Sequence, residues 1–464
     1  MNIQPLNRRD FLKWTGAAAA ASVLAACAPA AAPQAGAPAA EAGGEAAAGA
    51  AKTRVELWTG FGQGRMADAM TGAIDRFNEG QNEYEVEHVI VPWGEIRNKV
   101  VAATAAGNPP DVYRGWANLV GEDAPLGGLT DLTPYVEAKA DINLDDFWPA
   151  ALSQMKFDGK IYAMSVSTMF TLLFFNKDRM REVGIDTENL PTDLEGWEAA
   201  GEKLYEINNG SIEKIGFNPL LPWSNIPSWG ATRNLTLWDE VNRKAIANDA
   251  TNRPIMVDLF NWYKGYADKY GAEELQAFIT SYSGNDFGRN TPEGIYYTGR
   301  LGIWAIETWL YNDMKEYGPE VDFGVAKLPN LQGTEGKPGS INANMYLVPA
   351  NCKQPEGGFE FGNFMASDPW VAINKCVPDS VTPSRKSNAM LPEVLEGLPW
   401  VQMAIDEILP NAMPLPSMPS ISTYLTNLGA ALDSVVWDNV DPGQAVDEAV
   451  AKTQTDIDQK LGAS

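Results

Sequence analysis

Gly294–Pro329 reads GIYYTGRLGIWAIETWLYNDMKEYGPEVDFGVAKLP, and the fold turns on this stretch. Leu301–Ile306 is an unbroken apolar run, the pattern of a strand buried on both faces. Glu307, Thr308 and Trp309 follow at once, where such a strand ends. The spacing predicts a turn, a short helix capped by Thr308, and a second strand running up to Pro329. In open α/β sheets, ligands settle just beyond the carboxyl ends of strands. A Trp and a Glu at that position offer a flat apolar face and a hydrogen-bond acceptor, which together suit the ring of a sugar.

Outward from this stretch the chain alternates strands and helices. Thr53–Trp58 is a strand, Thr59–Gly64 a Gly-rich loop and Met66–Glu79 an amphipathic helix. A strand over Glu83–Val91, a helix over Trp93–Ala106 and a strand entered at Pro109-Pro110-Asp111 come next. This order predicts a parallel α/β sheet. The Gly-rich loop lacks GK[ST], so it is no phosphate-binding P-loop. Further on, Thr171–Asn176 and Gly339–Val348 read as buried strands, and Asn218–Thr232 as a loop rich in Pro and Trp.

The chain has 464 residues, enough for two or three domains. Its net charge of −25 argues against nucleic acid, and against an acidic polysaccharide unless a local basic patch exists. No strong basic patch is visible in the sequence. His88 is the single histidine and lies in an alternating strand, where it is expected to face solvent. With one histidine and no clustered Cys, Asp or Glu, no metal site and no cofactor are expected. Cys352 and Cys376 leave both a disulfide and two free thiols open, because distance cannot be read from spacing.

Residues 1–26 read as a targeting segment. Asn7-Arg8-Arg9-Asp10-Phe11-Leu12-Lys13 resembles a twin-arginine export signal, and Gly16–Ala26 is too short to span a membrane as a helix. Leu24-Ala25-Ala26-Cys27 resembles a lipobox, which implies cleavage before Cys27 and a lipid on its sulfur. Residues 27–52, rich in Ala, Pro and Gly, form the expected tether. The implied product is exported by the twin-arginine route and held to the outer side of the cell membrane by lipid alone.

Several motifs together resemble the extracellular solute-binding proteins, family 1, of carbohydrate ABC importers, the maltose-binding-protein-like group. They are Tyr296–Trp309 with its Gly-Arg and Trp, the run AAGNPPDV ending at Val112, and DGKIYAMSVSTMFTLLFFNKD over 158–178. The resemblance covers nearly all of 53–464, with Ser165 standing where the family commonly has Pro. It implies a periplasmic-binding-protein-like α/β fold of type II, with two lobes, a hinge near Val166–Met169 and a ligand cleft between the lobes. Residues 53–168 and 338–400 would form lobe 1, and 169–337 with 401–464 lobe 2. It implies no enzymatic activity, a carbohydrate ligand, a monomer, and delivery to the transmembrane subunits of an ABC permease.

The candidate ligand-binding residues are Trp58, Gln63, Trp116 and Asn118 from the first lobe. Trp223, Trp229, Glu307, Trp309, Asn344 and Tyr424 complete the set. Aromatic planes cover the apolar faces of sugar rings, and Asn, Gln and Glu hold hydroxyls. Arg65 could add hydrogen bonds from the loop, and Asn342 could face the cleft. A secreted glycan-active enzyme would need a carboxylate pair in this cleft, and Glu307 is the only carboxylate among the candidates. The same fold could instead take a non-sugar solute, a peptide or a polyamine, and a polyamine would need several carboxylates.

Overall fold

The computed structural model describes residues 51–221, 224–281, 291–331 and 335–462. Its first strands are β1 (Thr53–Thr59), β2 (Tyr84–Ile90) and β3 (Val112–Trp116), all parallel. Helices α1 (Gly64–Gly80) and α2 (Trp93–Ala105) link them, as the alternation predicts. In α1 the buried residues are Ala69, Met70, Ala73, Ile74 and Phe77. They recur at helical spacing and form the stripe that packs on the sheet. Helix α3 (Asn118–Asp123) leaves the end of β3.

Strand β4 (Ala163–Asn176) is buried along its whole length. Beyond it come β5 (Ser211–Phe217), α4 (Asn252–Tyr270), β6 (Leu301–Glu307), α5 (Leu310–Tyr317), β7 (Phe323–Lys327) and β8 (Ser340–Leu347). The short β9 (Met413–Pro414), α6 (Ile421–Trp437) and α7 (Pro442–Lys460) close the chain. The sheet runs β2–β1–β3–β8–β4–β6–β5. This mixed sheet with helices is the two-lobed α/β architecture expected.

The registers place the site. β8 pairs with the first part of β4, ending with Ile341 opposite Phe170, while β6 pairs with the rest, ending with Glu307 opposite Thr171. The start of β8 and the end of β6 therefore meet neighbouring residues of one continuous strand, from either side of it. Asn342, next to Ile341 in β8, and Glu307, the last residue of β6, are thereby brought to the same region.

The decisive stretch forms the predicted strand, helix and strand, with one difference. Thr308 does not cap α5. It is fully buried and its Oγ1 has no hydrogen-bond partner, while Trp309 holds the cap position without a side-chain bond. His88 also departs from expectation. It is half-buried, its Nε2 lies 2.7 Å from Thr59 Oγ1, and burial lowers its pKa.

Candidate functional site

Two adjoining cavities share Glu307, Asn342, Leu415 and Leu425 in their walls. The first has a volume of about 430 Å³ and the second about 490 Å³.

One wall of the first cavity comes from the parallel strands. Phe61 follows β1, Trp93 follows β2 at the first residue of α2, and Trp116 ends β3. Phe61 and Trp93 meet edge to face at 4.8 Å between ring centroids, and Trp93 lies 5.6 Å from Trp116. Gly60 permits this packing, because a Cβ there would sit 2.4 Å from the Trp93 indole. The facing wall holds Glu307 and Trp309, and Trp309 is only 5% exposed. Asn118 donates from Nδ2 to Ser422 Oγ at 2.9 Å, and both residues line the cavity. Glu122 accepts the Ser422 N–H at 2.7 Å and so satisfies a free donor in the first turn of α6.

The second cavity is lined by Ser224, Asn225, Tyr263 and, on α6, Leu432, Asp433 and Trp437. Burial raises the Asp433 carboxyl pKa, and the neighbouring Asp438 adds to this. Stacking faces and hydrogen-bonding groups thus line both cavities. The structure adds Asp379 and Asp433 to the single carboxylate seen in the sequence. Asp379 is held by Lys375 at 3.0 Å.

The predicted residues divide. Trp116, Asn118, Glu307, Trp309 and Asn342 converge on the cavities. Trp223 lies outside the described residues. Trp58 is half-buried on β1, donates from Nε1 to Glu56 at 2.7 Å, and does not line either cavity. It belongs to the opposite face of its strand from Val55 and Leu57. Gln63 is exposed at the start of α1 and also stands off the cavities. Trp229 is fully buried, packed on Phe217 and Trp262, with Nε1 donating to Ser224 Oγ at 2.8 Å. Asn344 is a buried strand residue that donates to Ser167 Oγ at 2.8 Å and accepts from Arg114. Tyr424 is buried on α6, where its hydroxyl accepts the Ala247 N–H at 3.0 Å. Arg65 does not line the cavities. It pairs with Asp313 and Glu316 of α5, and its Nε donates to Pro378 O at 3.1 Å. Cys352 and Cys376 are both free thiols.

Sequence reasoning missed Phe61, Trp93, Arg114, Asp379 and the α6 residues. Phe61 and Trp93 obey the strand-end rule already applied to Trp116, so that signal was present. Arg114 and Asp379 carry no local signal, since one is a mid-strand residue and the other follows a helix.

The family model for bacterial extracellular solute-binding protein matches residues 63–372, and the twin-arginine signal model matches residues 5–25. The galactooligosaccharide-binding protein of Bacillus subtilis (strain 168) is 23% identical over 398 residues, covering 82% of this chain and 85% of the relative. Among solved structures, CpMnBP1 with mannotriose bound superimposes with a TM-score of 0.75 at 24% identity, over 87% of this chain and all of that one (100%). The maltose/maltodextrin-binding domain of Bdellovibrio bacteriovorus bound to maltotriose gives 0.68 at 18% identity, over 87% and 100%. No helix among the described residues is long and apolar enough to cross a membrane.

Proposed function

Because this chain belongs to the bacterial extracellular solute-binding proteins, we propose that it captures a sugar or oligosaccharide between its lobes for an ABC importer. The observation that carries this reading is the junction of the two cavities. There Glu307 and Asn342, from strands of opposite halves, stand beside the tryptophans of the first cavity. A ligand at that junction touches both halves at once, and only such a ligand favours closure about a hinge in β4 and β8. Trp116 and Trp309 would cover ring faces, while Asn118, Glu307 and Asn342 would hold hydroxyls. Each hydroxyl left unpaired on closure costs about 1–3 kcal/mol, which gives discrimination between sugars.

Export by the twin-arginine signal, cleavage before Cys27 and lipid on that cysteine would hold the protein at the outer membrane face. The loaded, closed form would then dock as a monomer on the permease. No chemical step is part of this reading.

A thermal-shift screen of the purified protein against mono-, di- and oligosaccharides tests the function. A ligand at about 100 times its dissociation constant adds about 2.7 kcal/mol of stability. A response to one sugar series supports the reading, and silence to every sugar sinks it. A second reading rests on Glu307 and Asp433, two carboxylates that line the second cavity beside Tyr263 and Trp437. That pair suits a cationic ligand such as a polyamine, although Arg114 in the first cavity opposes one spanning both. A shift with polyamines and none with sugars would decide for it.

A further inference from the structure

Arg114 projects from β3 and is 4% exposed, yet it forms part of the wall of the first cavity. Its guanidinium lies 5.5 Å from the ring centroids of both Trp93 and Trp116. Its two terminal nitrogens donate to Gly115 O and Asn344 Oδ1, which leaves each a second N–H, and its Nε is sealed from solvent without a hydrogen-bond partner. No carboxylate among the described residues forms an ion pair with it. Asp379, which acts on it through space, is already bound to the fully buried Lys375 at 3.0 Å. Two buried cations thus share one carboxylate. The other groups beside Arg114 are Tyr346 and Cys376. Burial raises both, the thiol to about 11, so neither supplies negative charge at neutral pH. Glu307 belongs to the facing wall of the cavity.

A buried guanidinium without a counter-ion is costly and is normally paired. Here the guanidinium forms part of the wall of a cavity lined by stacking aromatics, and its terminal nitrogens keep unused N–H groups. We propose that the first cavity is a subsite for a sugar carrying one carboxylate, whose oxygen completes the coordination of Arg114. This rests on the reading of the paired cavities as a sugar site. A monoanion fits better than a phosphate dianion, because Lys375 is already engaged and Arg114 alone has hydrogen-bonding capacity to spare. The net charge of −25 works against a polyanion approaching from a distance. It does little against one acidic group at contact with a buried cation, where screening is weak.

Calorimetry of the purified protein with a neutral disaccharide, the matched disaccharide bearing one uronate, and a sugar phosphate tests this. The uronate is expected to bind about tenfold tighter than its neutral partner, the scale of one charge-assisted hydrogen bond. In Arg114→Gln that preference should vanish. Equal or tighter binding of the neutral sugar by the wild-type protein overturns the proposal, whether or not the variant folds. Preference for the phosphate over the uronate also overturns it. Binding of the neutral sugar alone leaves the sugar reading standing and removes this one, whereas binding of none of the three removes both.

Discussion

The two walls of the cleft are built on different plans. In one wall, Phe61, Trp93 and Trp116 each stand at or just past the carboxyl end of a parallel strand. In the facing wall only Glu307 and Trp309 do so. Much of the rest of that wall is one face of α6, where Ser422, Leu425, Gly429 and Leu432 recur at helical spacing. A strand end fixes a side chain's position by topology alone. A helix face is fixed by the rotation of the helix against its neighbours, which is a tertiary property.

The largest effect that could break this contrast concerns Trp229. The stretch expected to be a loop folds there into a short helix, Ile226–Ala231, and its Trp229 ring sits in the core between Phe217 and Trp262. Trp229→Ala should cost about 3–5 kcal/mol of stability, read as a fall in the denaturant midpoint. A variant that melts normally but loses ligand would return Trp229 to the cleft. Trp116→Ala should do the opposite. Affinity is expected to fall by about 2 kcal/mol, or about thirtyfold, with the melting temperature little changed. If calorimetry finds the affinity unchanged, the aromatic wall is not the ligand's platform.

The different positions of Trp229 and Trp116 show what was legible in the sequence. The order of strands, the buried strand at Leu301, and Glu307, Trp309 and Trp116 followed from local pattern plus the strand-end rule. Tyr424 did not, because the cavity-facing stripe of α6 passes through Ser422 and Leu425 on either side of it. Sequence could identify an amphipathic helix there but not which of three neighbours turned inward. Asn344 failed for a similar reason. It belongs to a strand that lines the cleft, but a register shift follows it at Met345, and its amide is consumed by Ser167 and Arg114 beneath the cavity.

A smaller effect tests that rotation directly. Tyr424→Phe removes the acceptor for the buried Ala247 N–H. It should cost about 1–2 kcal/mol of stability and leave ligand affinity as it was. Leu425→Ala, one residue along, should weaken binding through both cavities. If Tyr424→Phe is the variant that loses ligand, α6 presents a different face from the one described.

The smallest effect concerns how the walls are held together. Arg65, on α1, bridges to Asp313 and Glu316 on α5, the helix that begins immediately after Trp309. Asp313 is nearly inaccessible, with a side chain 2% exposed, while that of Arg65 is 30% exposed. If the lobes open about β4 and β8, this bridge is made only when they close. It would then contribute to affinity without touching ligand. Because the arginine is partly solvated, the contribution should be no more than about 1 kcal/mol, or about fivefold in affinity. Arg65→Met keeps most of the apolar stem and removes the charge. Its affinity deficit should shrink as salt is raised, since screening weakens the same bridge in the wild-type protein. A deficit that persists unchanged at high salt would mean that Arg65 orders the loop bearing Phe61 rather than joining the two walls. In that case the first wall would depend on its own helix, and the second would owe nothing to it.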